Sequence, residues 1–189
     1  GYNPNGQAAL AAFVALYSEL VPEELYEDII QYPVQKILRY YDEASSLRGQ
    51  SATDSEYFKD EIQSPYIMKC LSQFCDCLKD KPLAEKLKNI LCQNPTACKE
   101  LDETLWDKGY HETPCDIVTS PDSFLYAGIK YEVDRSLDAL IRRQSNDGVW
   151  HLTYKFGEEE GFRKLERLFD THVTMLNLAT LKRFNRIDV

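Results

Sequence analysis

The sequence predicts an all-α fold built from packed layers of antiparallel helices. Three observations carry this. Apolar residues recur at spacings of three and four along most of the chain, and Gly and Pro are sparse, at 8 each in 189 residues. Near the start, a segment apolar on nearly every side is followed by one with a clear polar face, the order expected of an inner and then an outer helix. The length suits one domain with a sizeable core, so residues 1–189 are expected to form a single helical repeat domain.

Asn3-Pro4 makes a good helix start, an Asx cap before a residue whose fixed φ suits the first turn. From Gln7 to Leu20 the pattern is apolar on nearly all sides, which predicts protein all round it. Pro22-Glu23-Glu24 opens a second helix, where Leu25, Ile29, Ile30, Val34, Ile37, Leu38 and Tyr41 alternate with Glu27, Asp28, Gln31, Gln35 and Arg39. Pro33 should kink or divide it, because it removes a donor and crowds the preceding turn. Ser45 to Ser55 reads as a loop. A third helix follows from about Glu56 to Leu78, with a break near Pro65 and a core face of Tyr66, Ile67, Cys70, Leu71, Phe74 and Leu78. Pro82 opens a short outer helix through Leu83, Leu87, Ile90 and Leu91.

Residues 93–127 are the least regular part. They contain three prolines, Trp106, Tyr110, His111 and Thr113-Pro114-Cys115-Asp116-Ile117, and so long a connection is expected either to be functional or to carry a short helix between Ala97 and Trp106. Helix resumes near Ile129, presents Val133, Leu137, Leu140 and Ile141 on one face, and ends at Gln144. Trp150, Leu152, Tyr154 and Phe156 then alternate with polar residues as a short extended segment would, and a last helix carries Leu165, Leu168, Phe169, Val173, Leu176 and Leu181.

Composition excludes several classes of function. Acidic residues outnumber basic ones 31 to 22, for a net charge of -9, and no basic tract is present to hold a nucleic-acid backbone. The longest apolar run, Ala8 to Tyr17, is about half of what a bilayer span needs. No secretory signal is visible. The six cysteines, Cys70, Cys75, Cys77, Cys92, Cys98 and Cys115, fall mostly where the pattern asks for a small apolar residue, and they are read as reduced, buried thiols of a cytoplasmic protein. Cys75-Asp76-Cys77 has the wrong spacing for a zinc knuckle. Gly1 in place of Met reads as a cut site or cloning remnant, so the chain is expected to be the C-terminal part of a larger protein.

The stretch from Arg135 to Trp150 singles itself out. A helical pattern runs into Gln144-x3-Gly148-x-Trp150, in which the Gln amide can donate and accept, Asn146-Asp147-Gly148 supplies turn chemistry, and the indole can fold back over the helix end. Arg135, Leu140, Gln144, Gly148 and Trp150 resemble the Q-x3-G-x-W repeat of the terpenoid cyclase and protein prenyltransferase superfamily, with Ala139 standing where an aromatic is usual. Asp147 to Tyr154 followed by Asn177 to Ile187 also resembles uncharacterised bacterial proteins with prenyltransferase and squalene-oxidase-type repeats. The resemblance implies an α/α toroid of inner and outer antiparallel helices. Six or seven helices would make a partial, half toroid whose apolar concave face is expected to be covered by a partner, a second copy or a missing N-terminal half.

The resemblance does not bring a reaction with it. The D-x-D-D acid of the alkene-protonating cyclases is absent, as is the D-D-x-x-D that holds magnesium and diphosphate. The i,i+4 pairs Asp76/Asp80 and Asp134/Asp138 have cationic neighbours and read as surface carboxylates. His111, Cys115 and Asp116 are the residue types that bind zinc in protein prenyltransferases, but their order does not match, so neither a metal nor another cofactor is expected. His151 is expected to face solvent. Trp106, Tyr110 and His111 on the irregular loop, together with His172 on the last helix, are the candidate ligand-binding residues; Gln144, Gly148 and Trp150 are the structural motif. Two functions stay open: a non-catalytic scaffold with an apolar binding face, and an enzyme acting on an isoprenoid or other apolar small molecule with key residues elsewhere.

Overall fold

The structure, a computed structural model, describes residues 4–38, 65–93, 103–106 and 112–187. Among the described residues the chain is all-helical, with seven α-helices and no strand. The loop expected at Ser45 to Ser55, the start of the third helix before Pro65, Cys98, Tyr110 and His111 lie outside the described residues. The chain falls into two compact units, Gly1–Lys99 and Glu100–Val189.

The first unit contains α1 (Pro4–Leu16), α2 (Glu23–Ile37), α3 (Pro65–Cys77) and α4 (Lys81–Cys92). α1 packs against both α3 and α2. Its buried face is Ala8, Ala11, Ala12, Val14 and Ala15, small side chains that let neighbouring backbones approach. The other side of the same helix faces solvent: Phe13 is 58% exposed, Leu16 59% and, beyond the helix, Leu20 81%. The expectation of protein all round α1 is therefore corrected. Its apolar pattern combines a packed face of small residues with an outward face of large ones.

Pro33 is buried inside an unbroken α2, so it does not divide the helix. The same helix buries Tyr26, Ile30 and Ile37. The Tyr26 hydroxyl accepts from the Lys79 amide at 3.2 Å, while the Lys79 ammonium lies 4.2 Å from the centre of the Tyr26 ring and pairs with Glu23 at 2.9 Å. These contacts hold the start of α2 to the α3–α4 corner. α3 buries Ile67, Met68, Cys70, Leu71, Phe74 and Cys75, whereas Tyr66, expected in the core, is exposed. Asp80 caps α4 by accepting from the Leu83 amide at 3.0 Å, and Pro82 occupies the first turn, where its missing donor leaves no bond unmade. Lys88 holds Asp76 at 3.0 Å across the α3–α4 pair.

The second unit contains the short α5 (Pro114–Ile117), α6 (Lys130–Arg142) and α7 (Glu160–Arg183), with single 3-10 turns at Glu103–Leu105 and Tyr126–Gly128. α6 buries Val133, Ser136, Leu137, Ala139 and Leu140. α7 ends in a Schellman motif: Asn185 takes a φ of 52°, the Arg186 amide donates to the Leu181 carbonyl at 2.9 Å and the Asn185 amide to Lys182 at 3.0 Å. The Arg186 guanidinium then reaches Asp138 at 2.9 Å and Asp134 at 3.5 Å, so the C-terminal end of α7 is tied to α6. The core expected along α7 is largely absent. Among its apolar residues only Leu181 is fully buried, while Leu165, Leu168, Phe169 and Leu176 are exposed.

Far-ultraviolet circular dichroism should be dominated by helix. In urea unfolding, Phe74→Ala should lose about 3 to 5 kcal/mol, because a fully buried ring is removed. Phe13→Ala on the outward side of α1 should stay within about 0.5 kcal/mol of the parent. Equal losses at the two sites would mean that the faces of α1 are wrongly assigned.

Candidate functional site

The turn after α6 is built from the residues of the Gln-x3-Gly-x-Trp pattern. The Ser145 amide donates to the Val149 carbonyl at 3.0 Å and the Gly148 amide to Ser145 at 2.9 Å, closing a small loop. Asp147 accepts from the Ser145 hydroxyl, a bond that holds its carboxyl below the usual carboxylate range. Gly148 has a φ of +82°, and an added Cβ there would meet nothing within 4 Å. Glycine is therefore required by backbone conformation, not by crowding. The Gln144 amide donates to the Gly148 carbonyl at 2.9 Å and spans the loop.

Trp150 is 2% exposed and lies against the end of α6. Its indole N–H donates to the Leu140 carbonyl at 2.7 Å. That carbonyl belongs to the last turn of the helix and also accepts from the Arg143 amide at 3.2 Å, so the indole covers the helix end and adds a second, shorter bond to it.

From Trp150 onward the chain runs antiparallel to α7 and bonds to one face of that helix. The Trp150 amide donates to Thr174 Oγ1 at 3.0 Å, the Leu152 amide to Asp170 Oδ1 at 2.9 Å and the Phe156 amide to Glu166 Oε1 at 2.8 Å. Glu166, Asp170 and Thr174 are spaced by four, one helical turn apart. Two residues of extended chain cover about 6.6 Å and four residues of helix about 6 Å, so amides 150 and 152 fall in register with acceptors 174 and 170. The alternation of apolar residues in this segment predicted extended chain. The structure gives it side chains of a helix as partners in place of a second strand.

His151 is exposed, as its position in that segment suggests, and Nδ1 lies 2.7 Å from Asp170 with Nε2 3.8 Å from Asp147. The bond to Asp170 raises its pKa above the ordinary 6.5, against the opposing effect of burial.

Of the four candidate ligand residues, Trp106 is 3% exposed, on the turn whose Glu103 pairs with Arg135 and with Arg142 at 3.2 Å, and its carbonyl accepts from Arg143 at 3.3 Å. His172 is exposed on α7. The structure thus places one in the interior and the other in solvent, and no described contact joins them. Tyr110 and His111 are outside the described residues.

Cys115 and Asp116 are both committed to structure. Asp116 Oδ2 accepts from the Thr113 amide at 2.7 Å in a capping box that starts α5. The Cys115 amide donates to Ser136 Oγ at 2.9 Å, and that hydroxyl donates to the Val133 carbonyl at 2.8 Å, which docks α5 on α6. Burial, reinforced by Asp116, pushes the Cys115 thiol up to about 11, and burial pushes Cys75 up to about 12. Both are protonated near neutrality, which weakens them as nucleophiles and metal ligands. Cys70 is also buried, whereas Cys92 is exposed, unlike the small core residue its pattern suggested. Among the described residues, no group of three or more His, Cys, Asp or Glu side chains is placed to hold a metal ion.

Sequence reasoning missed the acceptors Glu166, Asp170 and Thr174 and the buried Ser136. A spacing of four between polar acceptors, opposite an alternating segment, was the available signal for the first three. The Thr113-x-x-Asp116 capping spacing was also readable. Compared with known proteins, the chain matches no family model, no curated protein and no solved structure.

Trp150→Ala should lose about 3 to 5 kcal/mol in urea unfolding, since it removes a buried indole. Trp150→Phe should lose less, about 1 to 2 kcal/mol, because the ring is largely replaced while the Leu140 carbonyl loses the indole donor and keeps only the Arg143 amide at 3.2 Å. A Trp150→Ala melting point within a degree or so of the parent would show that the clasp is not structural.

The His151–Asp170 pair has a definite pH signature. A raised folded pKa means that its stabilisation is complete below about 6.5 and is lost as pH rises through the raised value. Solvent screening keeps it under about 1 kcal/mol. The melting-point gap between the parent and His151→Gln should therefore be widest in mildly acidic buffer and close in alkaline buffer. A gap that widens with pH would refute the pairing.

Proposed function

We propose that this chain is an α/α-toroid-type repeat protein that acts by binding, as a non-catalytic or partial scaffold. The observation that carries the reading is the outward side of α1 and the turn after it, where Leu10, Phe13, Leu16, Tyr17 and Leu20 are exposed together. They extend over nearly three helical turns, and the only charged residue in that stretch is Glu19. Large exposed apolar patches mark places where a protein meets something else. The toroid reading is supported by the turn from Gln144 to Trp150, whose three characteristic residues are all engaged in closing the end of a helix.

The catalytic alternative, an enzyme acting on an isoprenoid, requires devices for which these residues offer little support. Ionising an allylic diphosphate needs cations to take up the charge of the leaving group, and protonating an alkene needs an unusually strong acid. The i,i+4 carboxylates that come nearest to such motifs have other partners: Asp76 pairs with Lys88, Asp80 caps α4, and Asp134 and Asp138 pair with Arg186.

Incubating the purified chain with farnesyl or geranylgeranyl diphosphate, with and without magnesium or zinc, should return unchanged substrate by mass spectrometry. A metal-dependent product would replace the scaffold reading with the enzymatic one. An environment-sensitive apolar dye should bind the parent and bind Leu16→Ser/Leu20→Ser several-fold more weakly at unchanged helicity. Equal dye binding would remove α1 as the binding face.

A further inference from the structure

We propose that His151 is a pH-responsive latch, held between a carboxylate of the Gln144–Trp150 turn and a carboxylate of α7, that governs how often the segment 151–154 lifts away from α7. All of its parts lie in the second unit, so the latch does not depend on the scaffold reading or on α1.

The charged groups that face the ring are two carboxylates from two different elements, Asp147 and Asp170. Asp170 of α7 takes Nδ1 at 2.7 Å on one oxygen, and on its other oxygen it accepts the Leu152 amide at 2.9 Å. One carboxylate thus holds both the side chain of residue 151 and the backbone of residue 152. Asp147 of the turn stands 3.8 Å from Nε2. It is itself tied down, because it accepts from the Ser145 hydroxyl and, at 3.4 Å, from the Val149 amide. On either side of the latch the segment has its own anchors. Trp150 is held by its indole, and Phe156 by Glu166 and by ring contact with Phe169 at 5.3 Å.

The two contacts respond differently to one proton. An ionised carboxylate only accepts, so Nδ1 carries hydrogen in either state of the ring, and the Asp170 bond survives deprotonation in a weaker form. Nε2 is the atom that changes. In the imidazolium it is an N–H beside Asp147, and in the neutral ring it is a bare lone pair beside the same negative charge. Loss of the proton therefore turns the contact with the turn from attractive to repulsive, and at the same time weakens the contact with the helix.

When the segment lifts, the ring meets water and titrates near its ordinary value of about 6.5, whereas the closed ring keeps its proton to higher pH. Closure is therefore favoured in full below about 6.5, and the advantage is lost as pH rises through the raised value. His151 is exposed, and solvent screening limits the whole change in the opening equilibrium to about two- to fivefold.

Amide hydrogen exchange of the full chain, followed by NMR and corrected for the intrinsic rate at each pH, tests this. Between about pH 5.5 and about pH 8.5 the Leu152 amide should lose about two- to fivefold in protection. Low urea should leave that protection unchanged, the mark of a local opening, while the amide of the buried Leu137 in α6 loses protection as urea is added. His151→Gln can still donate to Asp170 but does not titrate, so it should abolish the pH change. Asp147→Asn should leave a smaller change with a lower midpoint, because only the Asp170 contact then responds. In the parent, which needs no variant to fold, the His151 ring resonances and the Leu152 amide should titrate with one shared midpoint above the ordinary histidine value. A Leu152 amide that follows Leu137 in urea would overturn the proposal, since the segment would then open only with the whole unit. Separate midpoints in the parent, or a full pH change retained in either variant, would overturn it as well.

Discussion

The second unit depends on one hydrogen bond, from the Trp150 indole to the Leu140 carbonyl at 2.7 Å. It fixes the last turn of α6, and because Trp150 is pinned, its own amide is aimed at Thr174 on α7. That contact sets the register for Leu152 on Asp170, and bends at Thr153 and Tyr154 take up the extra length before Phe156 reaches Glu166. Apart from Arg186 and the small buried end around Asn177, Thr180 and Leu181, α7 is held chiefly through this segment. The arrangement satisfies backbone donors that would otherwise need a sheet, at a place where the sequence offers no second strand. The positive φ at Gly148 belongs to the same requirement, since the loop must reverse within five residues for the indole to reach back to α6.

Much of the fold was legible because it rests on periodicity. The all-helical character, the end of α6 at the Gln144 turn and the buried faces of α3 and α4 follow from apolar residues at threes and fours. The turn was legible because Gly148 and Trp150 have narrow conformational and chemical uses. What periodicity could not show is which of two apolar sides is packed. In α1, the alanines are buried and the larger Leu10, Phe13 and Leu16 are exposed. Close helix approach favours small residues at the contact, and a pattern apolar on every side does not reveal that choice. Pro33 misleads for a related reason. Its cost is local, whereas burial of Tyr26, Ile30 and Ile37 along the same helix keeps α2 continuous.

The candidate site was less legible because polar residues carry several meanings. His111, Cys115 and Asp116 suggest a metal by type, yet Asp116 closes a capping box and the Cys115 thiol is buried and held protonated. Trp106, a candidate ligand residue on the irregular loop, lies in the interior. His172 and its apolar neighbours could be placed on one helical face from sequence, but their exposure is decided by the 150–156 segment. That segment takes the polar face of α7 through backbone bonds and thereby turns the apolar face outward.

This inversion is a physical constraint on any account of function. A helix is ordinarily held by its apolar stripe and hydrated along its polar one. Over its first four turns α7 does the reverse: its carboxylates and threonine hydroxyl are engaged by backbone amides, and its leucines and methionine meet water. Intramolecular hydrogen bonds contribute about 1 kcal/mol each, so three of them can hold the segment in place but do not offset the hydration of an apolar stripe of this size. Alone, such an arrangement is less stable than one with the stripe covered. The polar ladder therefore orients the helix, with its apolar stripe left exposed among the described residues.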